Sequence, residues 1–195
     1  MGFRHDNRRD YPAFFNGPVP NWGDPSPGLM IVGLAPGLKG ANRTGRPFTG
    51  DYAGDLLYAT LKKFGLATGT YAQRPDDGLA LTNVLIANAV RCVPPQNKPT
   101  GDEIRPCRQF LEASIKVHAP RAFLVLGRIA HDSLLSALGE RRAAFPFGHG
   151  VEHTLTSGTL LFDSYHCSRY NTNTGVLTTQ MFEDVIGRAA RAVAG

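Results

Sequence analysis

The sequence predicts an α/β fold: a single domain of residues 1–195 in three layers, with helices on both faces of a central, mostly parallel, four-stranded sheet. Apolar segments typical of buried strands alternate about four times with segments whose apolar residues recur at helical spacing. This alternation is characteristic of parallel sheets that are covered by helices. The chain has 195 residues, of which 42% are hydrophobic, and can therefore bury one core of ordinary size.

Four apolar segments predict the strands of this sheet. They are LMIVGL at 29–34, LALTNVLIANAV at 79–90, RAFLVLG at 121–127 and TLLFDSYH at 159–166. The stretch before them, residues 1–27, is rich in Pro, Asn, Gly and charge, and it predicts an extended lead-in that wraps over the domain. Ligands of such folds bind beyond the carboxyl ends of the strands, so the segments that follow the strands are candidate site loops.

Apolar residues at helical spacing predict four helices between and after these strands. The second helix carries a capping-box signature, because Thr100 is followed three positions later by Glu103. The predicted helices begin at Tyr52, Thr100, Arg128 and Thr178.

Composition narrows the class of protein. A formal net charge of +5 favours a polyanionic partner, although many proteins without a nucleic-acid role are as basic. No apolar run reaches the roughly 18 residues of a membrane span, and the first residues lack the apolar core of a signal peptide, so we expect a cytoplasmic protein without a membrane partner. Three cysteines, Cys92, Cys107 and Cys167, cannot form a closed set of disulfides, which leaves metal ligation or simple burial.

Three polar loops follow predicted strands and should converge on one edge of the sheet. The first loop is rich in glycine, but it has neither the GK[ST] ending of a phosphate-binding loop nor a GxGxxG pattern, which argues against a nucleotide-binding protein. The loops are APGLKGANRTGRPFTGD at 35–51, RCVPPQNKPT at 91–100 and CSRYNTNTGVLT at 167–178.

Together with the strand residues before them, these loops resemble the three signature segments of the family-five uracil-DNA glycosylases. The segments are GLAPGLKGANRTGRPFTGD, NAVRCVPPQNKPT and SYHCSRYNTNTGVLT, and the resemblance extends from Pro18 to Phe182. It implies a DNA-repair enzyme that flips uracil out of DNA and hydrolyses its N-glycosidic bond to leave an abasic site. It also implies activity on hypoxanthine and xanthine. We expect uracil-containing DNA as the partner, and a monomer.

For the base pocket, the resemblance implies that Phe48 stacks on the flipped base, whereas the residue pattern alone favours a ring that plugs the core. Asn88 ends the second predicted strand, and its carboxamide offers an acceptor and donors that suit the N3–H and O4 of uracil. A structural Asn at a strand end is the alternative. Gly37 offers a backbone amide as a further donor to the ligand.

For catalysis, the resemblance implies that His166 donates a hydrogen bond to uracil O2 as the base leaves with negative charge. The first segment, GLAPG, lacks the acidic or amide side chain that other glycosylase branches carry there. Asn42 and Asp51 are the candidates for positioning the attacking water, and Asp51 fits equally well as the cap of the next helix. The other histidines are expected at surface or capping positions; they include His118, His131, His149 and His153.

For DNA binding, the resemblance implies that the polar loop after His166 enters the DNA groove and helps to hold the base out. The loop residues predicted to contact DNA are Ser168, Arg169, Asn171, Thr172 and Asn173. Lys39 and Lys98 suit phosphate contacts, and no lysine of the motif loops is an obvious Schiff-base former, so we expect no lyase activity. A damaged-DNA-binding protein without catalysis is the alternative, because the sequence does not settle which residue is the general base.

A [4Fe–4S] cluster is usual in the family, and it is held by four cysteines. Two of them belong to an N-terminal CxxC, and the other two are placed as Cys92 and Cys107 are here. The CxxC is absent from this sequence, which resembles the family from just after that pair. Two of four thiolate ligands would leave the iron incompletely coordinated, so we expect Cys92 and Cys107 to be two buried thiols in this chain.

Overall fold

The computed structural model describes residues 2–194, and a six-stranded sheet lies at its centre. In chain order the strands are β1 (Trp22–Gly23), β2 (Leu29–Gly33), β3 (Ala67–Thr68), β4 (Ala80–Leu81), β5 (Val84–Asn88), β6 (Ala122–Leu126), β7 (Glu152–Thr154) and β8 (Leu160–Ser164). The helices are α1 (Gly2–Asp10), α2 (Ala41–Thr44), α3 (Tyr52–Lys63), α4 (Gly101–His118), α5 (Arg128–Leu138), α6 (Arg169–Asn173) and α7 (Thr179–Val193). Two short 3-10 turns cover Pro95–Asn97 and Arg142–Ala144.

The strand order of the main sheet is β1-β5-β2-β6-β8-β7. Its four inner strands are parallel and are the four that the apolar segments predicted. The edge strands β1 and β7 pair antiparallel with their neighbours, so the sheet has six strands and the prediction of four was wrong. The two missed strands have only two and three residues, which is too short for a periodic pattern. β3 and β4 form a separate pair.

The core lies on both faces of the sheet, which confirms the three-layer α/β fold. Alternate residues of a strand point to opposite faces, so inner strands that are buried on both sides need helices on both. Leu57 of α3 and Phe182 of α7 pack in one core, and Leu111 of α4 and Leu134 of α5 pack in the other. Burying each such side chain contributes roughly 1.5–3 kcal/mol to folding. The loops at the carboxyl edge therefore rest on a rigid scaffold.

The sequence predicted an extended lead-in over the first 27 residues, but the structure shows that this segment is not extended throughout. Gly2–Asp10 form α1, and Trp22–Gly23 form β1. The segment GFRHDNRRD lacks the apolar spacing by which a helix is recognised, which is why the prediction failed there. Between the two elements, buried Val19 donates its backbone N–H to the carbonyl of Arg91 at 2.7 Å. The segment thus packs against the loop after β5.

The predicted capping box is present at the start of α4. The backbone N–H of Thr100 donates to Glu103 Oε2 at 2.8 Å, and the reciprocal contact to the Thr100 side chain completes the motif. Within residues 2–194, no helix combines the length and the apolar composition needed to cross a membrane.

Candidate active site

A cavity of about 570 Å³ opens where the three polar loops meet. This volume is typical of small-molecule sites, which span roughly 300–1,000 Å³. Of the predicted residues, those that line the cavity are Gly37, Lys39, Phe48, Asp51, Asn88, His166, Ser168 and Arg169. The remaining lining residues are Leu34, Ala35, Ala41, Gly50, Tyr52, Ala53 and Asn97. The expected convergence of the loops is therefore observed.

Asn88 lies at the base of the cavity, paired in register with Gly33 of the neighbouring strand. A Cβ atom at Gly33 would lie 2.5 Å from Asn88 Oδ1 and 2.8 Å from Cζ of Phe48, so only glycine allows both side chains to approach there. Asn88 is only 7% exposed, and it is one of the residues that line the cavity. The amide can therefore pair with a ligand.

Phe48 forms one wall of the cavity and also belongs to the core cluster beneath it. Its ring centroid lies 6.0 Å from that of His166, and the two ring planes are inclined by 29°. The backbone of Phe48 has a φ of 50°, a left-handed conformation that is uncommon for a residue with a side chain. The two sequence interpretations, a stacking ring and a core plug, are thus compatible with one position.

His166 follows the end of β8 and presents a neutral imidazole to the cavity. Burial lowers its pKa to about 4, so the ring is uncharged near neutral pH and carries one N–H donor. Its carbonyl accepts a hydrogen bond from Asn171 Nδ2 at 2.8 Å. The next residue, Cys167, is fully buried, and its Sγ donates to the carbonyl of Ala53 at 3.4 Å. Both flanking contacts restrict the backbone that carries the imidazole.

Asp51 has a carboxylate that contacts the first loop. A Cβ atom at Gly37 would lie 3.2 Å from Asp51 Oδ2, and Oδ1 is buried and has no hydrogen-bond partner among the residues that the structure describes. Burial raises the pKa of Asp51, while the nearby amides of Gly54 and Ala53 oppose the rise. Asp51 occupies the N-cap position of α3, but its side chain makes no capping hydrogen bond. The carboxylate is therefore available to a ligand or a water.

Asn42, the other candidate for positioning the water, points away from the cavity. Its Nδ2 donates to Asn16 Oδ1 at 2.9 Å, and the residue is 1% exposed. It lies beside Asn7, Gly17 and Cys92, behind the first loop. The structure thus separates the two candidates, which are only nine positions apart in the sequence.

The predicted DNA-binding residues occupy different positions. Ser168 and Arg169 line the cavity, and the Arg169 guanidinium lies 5.4 Å from the centroid of the Tyr52 ring. Arg169 begins the helix α6, so this segment is helical where a polar loop was predicted. Ser168 caps the helix, because its Oγ accepts a hydrogen bond from the backbone N–H of Asn171. Thr172 Oγ1 donates to the carbonyl of Ser168, and Asn173 is exposed. Lys98 is exposed beyond the lining residues.

Among the lining residues that were not predicted from the sequence, two have polar side chains, Tyr52 and Asn97. Tyr52 was assigned only to the start of a helix, and Asn97 only to a loop. Asn97 Oδ1 accepts a hydrogen bond from the backbone N–H of Leu38 at 3.2 Å and so connects the first and second loops. The one sequence signal for Asn97 as a site residue was its position in the polar loop 91–100, which follows the predicted strand that ends near Asn88.

The cysteine pair does not form a complete cluster site in this chain. Cys92 and Cys107 are partly buried, and Cys167 is fully buried. Within the part of the chain that the structure describes, no group of three or more His, Cys, Asp or Glu side chains is arranged to hold a metal ion. Two cysteines do not meet the four-thiolate requirement of a [4Fe–4S] cluster.

One histidine expected at the surface is in fact buried. His131 Nδ1 lies 2.8 Å from Asp163 Oδ1, and its Nε2 lies 2.8 Å from the carbonyl of Phe145. Both side chains of the pair are almost inaccessible, at 1% and 0% exposure. His149 also has a structural contact, because its Nδ1 accepts from the backbone N–H of Tyr165 at 3.1 Å, next to His166.

Comparison with known proteins agrees with this fold and cavity. The sequence model of the uracil DNA glycosylase superfamily matches residues 20–189, and the chain belongs to that superfamily. Within it, the chain is similar to proteins named type-5 uracil-DNA glycosylase, which confirms the predicted resemblance. It is 46% identical to that of Thermus thermophilus over 175 residues, which are 89% of this chain and 80% of the relative.

Two further relatives bear the same name. That of Pyrobaculum aerophilum is 40% identical over 178 residues, 91% of this chain and 77% of the relative. That of Mycobacterium tuberculosis is 42% identical over 185 residues, 93% of this chain and 69% of the relative.

Proposed function

We propose that this protein is a monofunctional uracil-DNA glycosylase, which binds a uracil flipped out of DNA and hydrolyses its N-glycosidic bond. One observation carries the proposal: an amide, a neutral imidazole and a carboxylate whose Oδ1 is buried line the same cavity, in Asn88, His166 and Asp51. The names of the relatives support it. The product would be free uracil and an abasic site.

Asn88 would recognise the base. Its Oδ1 accepts a hydrogen bond from uracil N3–H, and its Nδ2 donates one to O4. Cytosine presents an acceptor at N3 and a donor at N4, the opposite pattern. Because Asn88 is almost fully buried, a mismatched base would leave buried polar groups unpaired, which disfavours cytosine strongly.

His166 would stabilise the leaving group. As the bond between C1′ and N1 breaks, its electron pair moves to the base, and negative charge develops at O2. A neutral imidazole donates its N–H to that oxygen, and the contacts beside His166 hold the donor in place before the reaction begins. Phe48 would lie against the face of the base.

Asp51 would orient the attacking water. The water oxygen forms the new bond to C1′, and the carboxylate accepts the proton that the water loses. Burial raises the pKa of Asp51, which makes the carboxylate a stronger base than an exposed one. The backbone amide of Gly37, on the same side of the cavity, is a further donor.

The charged residues at the rim would bind the DNA backbone. Lys39 and Arg169 line the cavity and Lys98 is exposed nearby in the chain, so all three suit phosphate contacts. Thr172, Asn173 and Ser168 would contact the groove, while Asn171 supports the carbonyl of His166. We propose that residues 1–195 act as one domain and as a monomer in the cytoplasm.

The cavity also supports activity on deaminated purines. At about 570 Å³ it has more room than a single pyrimidine ring fills, so hypoxanthine and xanthine would also enter. Release of hypoxanthine from an inosine-containing duplex tests this. No release above background would limit the substrate to uracil.

The test of the main proposal is release of free uracil from a uracil-containing duplex, followed as alkali-labile strand breaks. We expect cleavage by the wild type and a loss of about 10²–10³ in rate for His166→Ala and for Asn88→Ala. His118→Ala is the matched control, because His118 is a half-buried histidine at the end of α4 that pairs with the Pro25 carbonyl and is not among the residues that line the cavity. Binding of the duplex by folded wild type without base release would favour the non-catalytic DNA-binding alternative.

A further inference from the structure

A buried arginine lies directly behind the loop that carries Phe48. Arg46 forms a two-point ion pair with Asp77, at 2.9 Å and 2.8 Å between the guanidinium nitrogens and the carboxylate oxygens. The two side chains are only 4% and 1% exposed. Arg46 Nε also donates to Thr49 Oγ1 at 2.7 Å. Because its charge is buried and compensated, Arg46 is not available to a DNA phosphate.

Asp77 brings a distant segment to this loop. Besides the two bonds from Arg46, its carboxylate accepts from the backbone N–H of Ala72 at 2.8 Å and from that of Leu79 at 3.1 Å. These four hydrogen bonds satisfy the carboxylate, as a buried charge requires. The chain between β3 and β4 is thereby tied to the first loop of the cavity.

Three aromatic rings surround the guanidinium. Arg46 Cζ lies 4.8 Å from the ring centroid of Trp22 and 5.8 Å from those of Tyr58 and Tyr71. The Tyr58 hydroxyl donates to the carbonyl of Pro47 at 2.5 Å, and the Tyr71 hydroxyl donates to the carbonyl of Phe48 at 3.1 Å. Burial raises the pKa of Tyr71 to about 12, so the hydroxyl remains a donor at neutral pH.

These contacts act on a strained backbone. Phe48 has a φ of 50°, and such a conformation persists only where the surroundings enforce it. Gly54 leaves the necessary space, because a side chain there would collide with the Phe48 carbonyl and the Tyr71 hydroxyl. Neither Arg46 nor the residues that surround it are among those that line the cavity.

We propose that Arg46, Asp77, Tyr58 and Tyr71 are positioning residues of the base pocket. They hold the Phe48 backbone in its left-handed conformation, so that the ring stays at the cavity wall ready to stack on a flipped base. The inference rests on the proposed function. The buried ion pair between Arg46 and Asp77 would then contribute to DNA binding, because it is connected to the Phe48 ring. This role is distinct from a contribution to the stability of the fold.

Tyr71→Phe tests the role with the smallest change, since it removes only the hydroxyl that donates to Phe48. We expect KM for a uracil-containing duplex to rise about 3- to 10-fold, the effect of one hydrogen bond, with kcat changed less than about 2-fold. Tyr11→Phe is the matched control and should change neither value, because Tyr11 lies in the lead-in segment. A fall in kcat at unchanged KM would overturn the proposal.

A double-mutant cycle with Phe48→Ala separates positioning from general stabilisation. If Tyr71 acts through the Phe48 ring, adding Tyr71→Phe to Phe48→Ala should change KM and Kd less than about 2-fold. The same fold-change in both backgrounds would overturn the proposal. Asp77→Asn, if it folds, should show the same dependence on Phe48.

Measuring the double-mutant cycle on the duplex Kd as well as on KM makes it possible to test the positioning role of Tyr71 separately from the proposed glycosylase function. If the wild type released no uracil, the proposed function would fail, and the Kd cycle would still decide whether Tyr71 acts through Phe48. Uracil release together with strictly additive Kd effects would remove the positioning role alone.

Discussion

Asp51 and Asp77 are two carboxylates of one region whose surroundings drive them in opposite directions. Hydrogen bonds from Arg46 hold the pKa of Asp77 well below its usual range, although burial opposes this. Burial raises the pKa of Asp51, whose Oδ1 has no hydrogen-bond partner among the described residues. Asp77 is therefore an anion with a structural partner, whereas Asp51 lines the cavity and is the base of the proposed reaction. Sequence patterns treat both simply as loop aspartates.

The pH profile of uracil release should report Asp51. The carboxylate accepts a proton only when charged, so kcat should fall as the pH drops through a pKa that lies above the ordinary 3.8 of an aspartate. We expect Asp51→Asn to lower kcat by about 10²–10⁴ and to remove this acidic limb. The measurement is kcat at saturating duplex as a function of pH.

The pKa of His166 provides a check on whether the acidic limb of the kcat profile belongs to Asp51. Its pKa of about 4 leaves the imidazole neutral above that pH, so any limb that survives in Asp51→Asn should lie near 4. An unchanged limb in this variant would assign the titration to another group and remove Asp51 from the reaction.

The helices α4 and α6 differ in how clearly the local sequence predicts them. α4 begins with a capping box that the sequence displays openly in Thr100 and Glu103. α6 has five residues, all polar except for its tyrosine, and no apolar periodicity, so it was predicted as a loop. Its Ser168 cap and the hydrogen bond from the backbone N–H of Leu177 to the carbonyl of Asn171 hold it in place. Leu177 is completely buried, which anchors that end of the segment.

Thr100→Ala should destabilise the protein through this cap. Removing an N-cap side chain costs about 1 kcal/mol in typical helices, and we expect that decrease in the free energy of unfolding in urea. Thr100→Ser keeps the hydroxyl and is the matched control, with most of the stability retained. Equal losses in both variants would show that packing of the threonine methyl, and not the cap, is responsible.

Across the molecule as a whole, a buried histidine connects one helical layer to the sheet. His131 of α5 pairs with Asp163 of β8, three positions before His166. Burial alone would lower the pKa of His131, but the hydrogen bond and the charge of Asp163 outweigh it, and the pKa is raised above 6.5. The pair therefore connects α5 to β8, the strand that ends two residues before His166.

The stability of the fold should depend on pH through this pair. The folded pKa of His131 exceeds the unfolded value, so the charged pair stabilises fully below the unfolded pKa and the effect is lost as the pH rises through the folded pKa. We expect the free energy of unfolding to differ more between wild type and His131→Gln at about pH 5.5 than at about pH 9. His118→Gln is the control for the loss of a half-buried histidine whose partner is the Pro25 carbonyl and not a carboxylate. His153, 3.4 Å from Asp163 Oδ2, is present in both proteins. A constant difference across this pH range would mean that His131 acts by packing alone.

Much of the architecture follows from local patterns. The four inner strands, the longer helices and the convergence of three loops on one edge were predicted, because buried parallel strands and amphipathic helices have periods that a sequence displays. The sequence also placed Asn88 and His166 at or just beyond strand ends, and their predicted roles came from the resemblance to the family-five uracil-DNA glycosylases. The short strands β1 and β7 and the helices α1 and α6 have no such period.

Contacts between distant residues decided the rest. Whether Asn42 or Asp51 faces the cavity depends on Asn16, 26 positions from Asn42, which binds its amide. The support of Phe48 depends on Arg46 and Asp77, 31 positions apart, and the seating of Cys167 on Ala53 spans 114 positions. Residue spacing specifies which faces are buried, but a hydrogen bond forms only where folding brings a particular donor and acceptor together. The sequence therefore indicated which residues belong to the cavity, and the tertiary structure decided which of their polar groups face it and which are held by other residues.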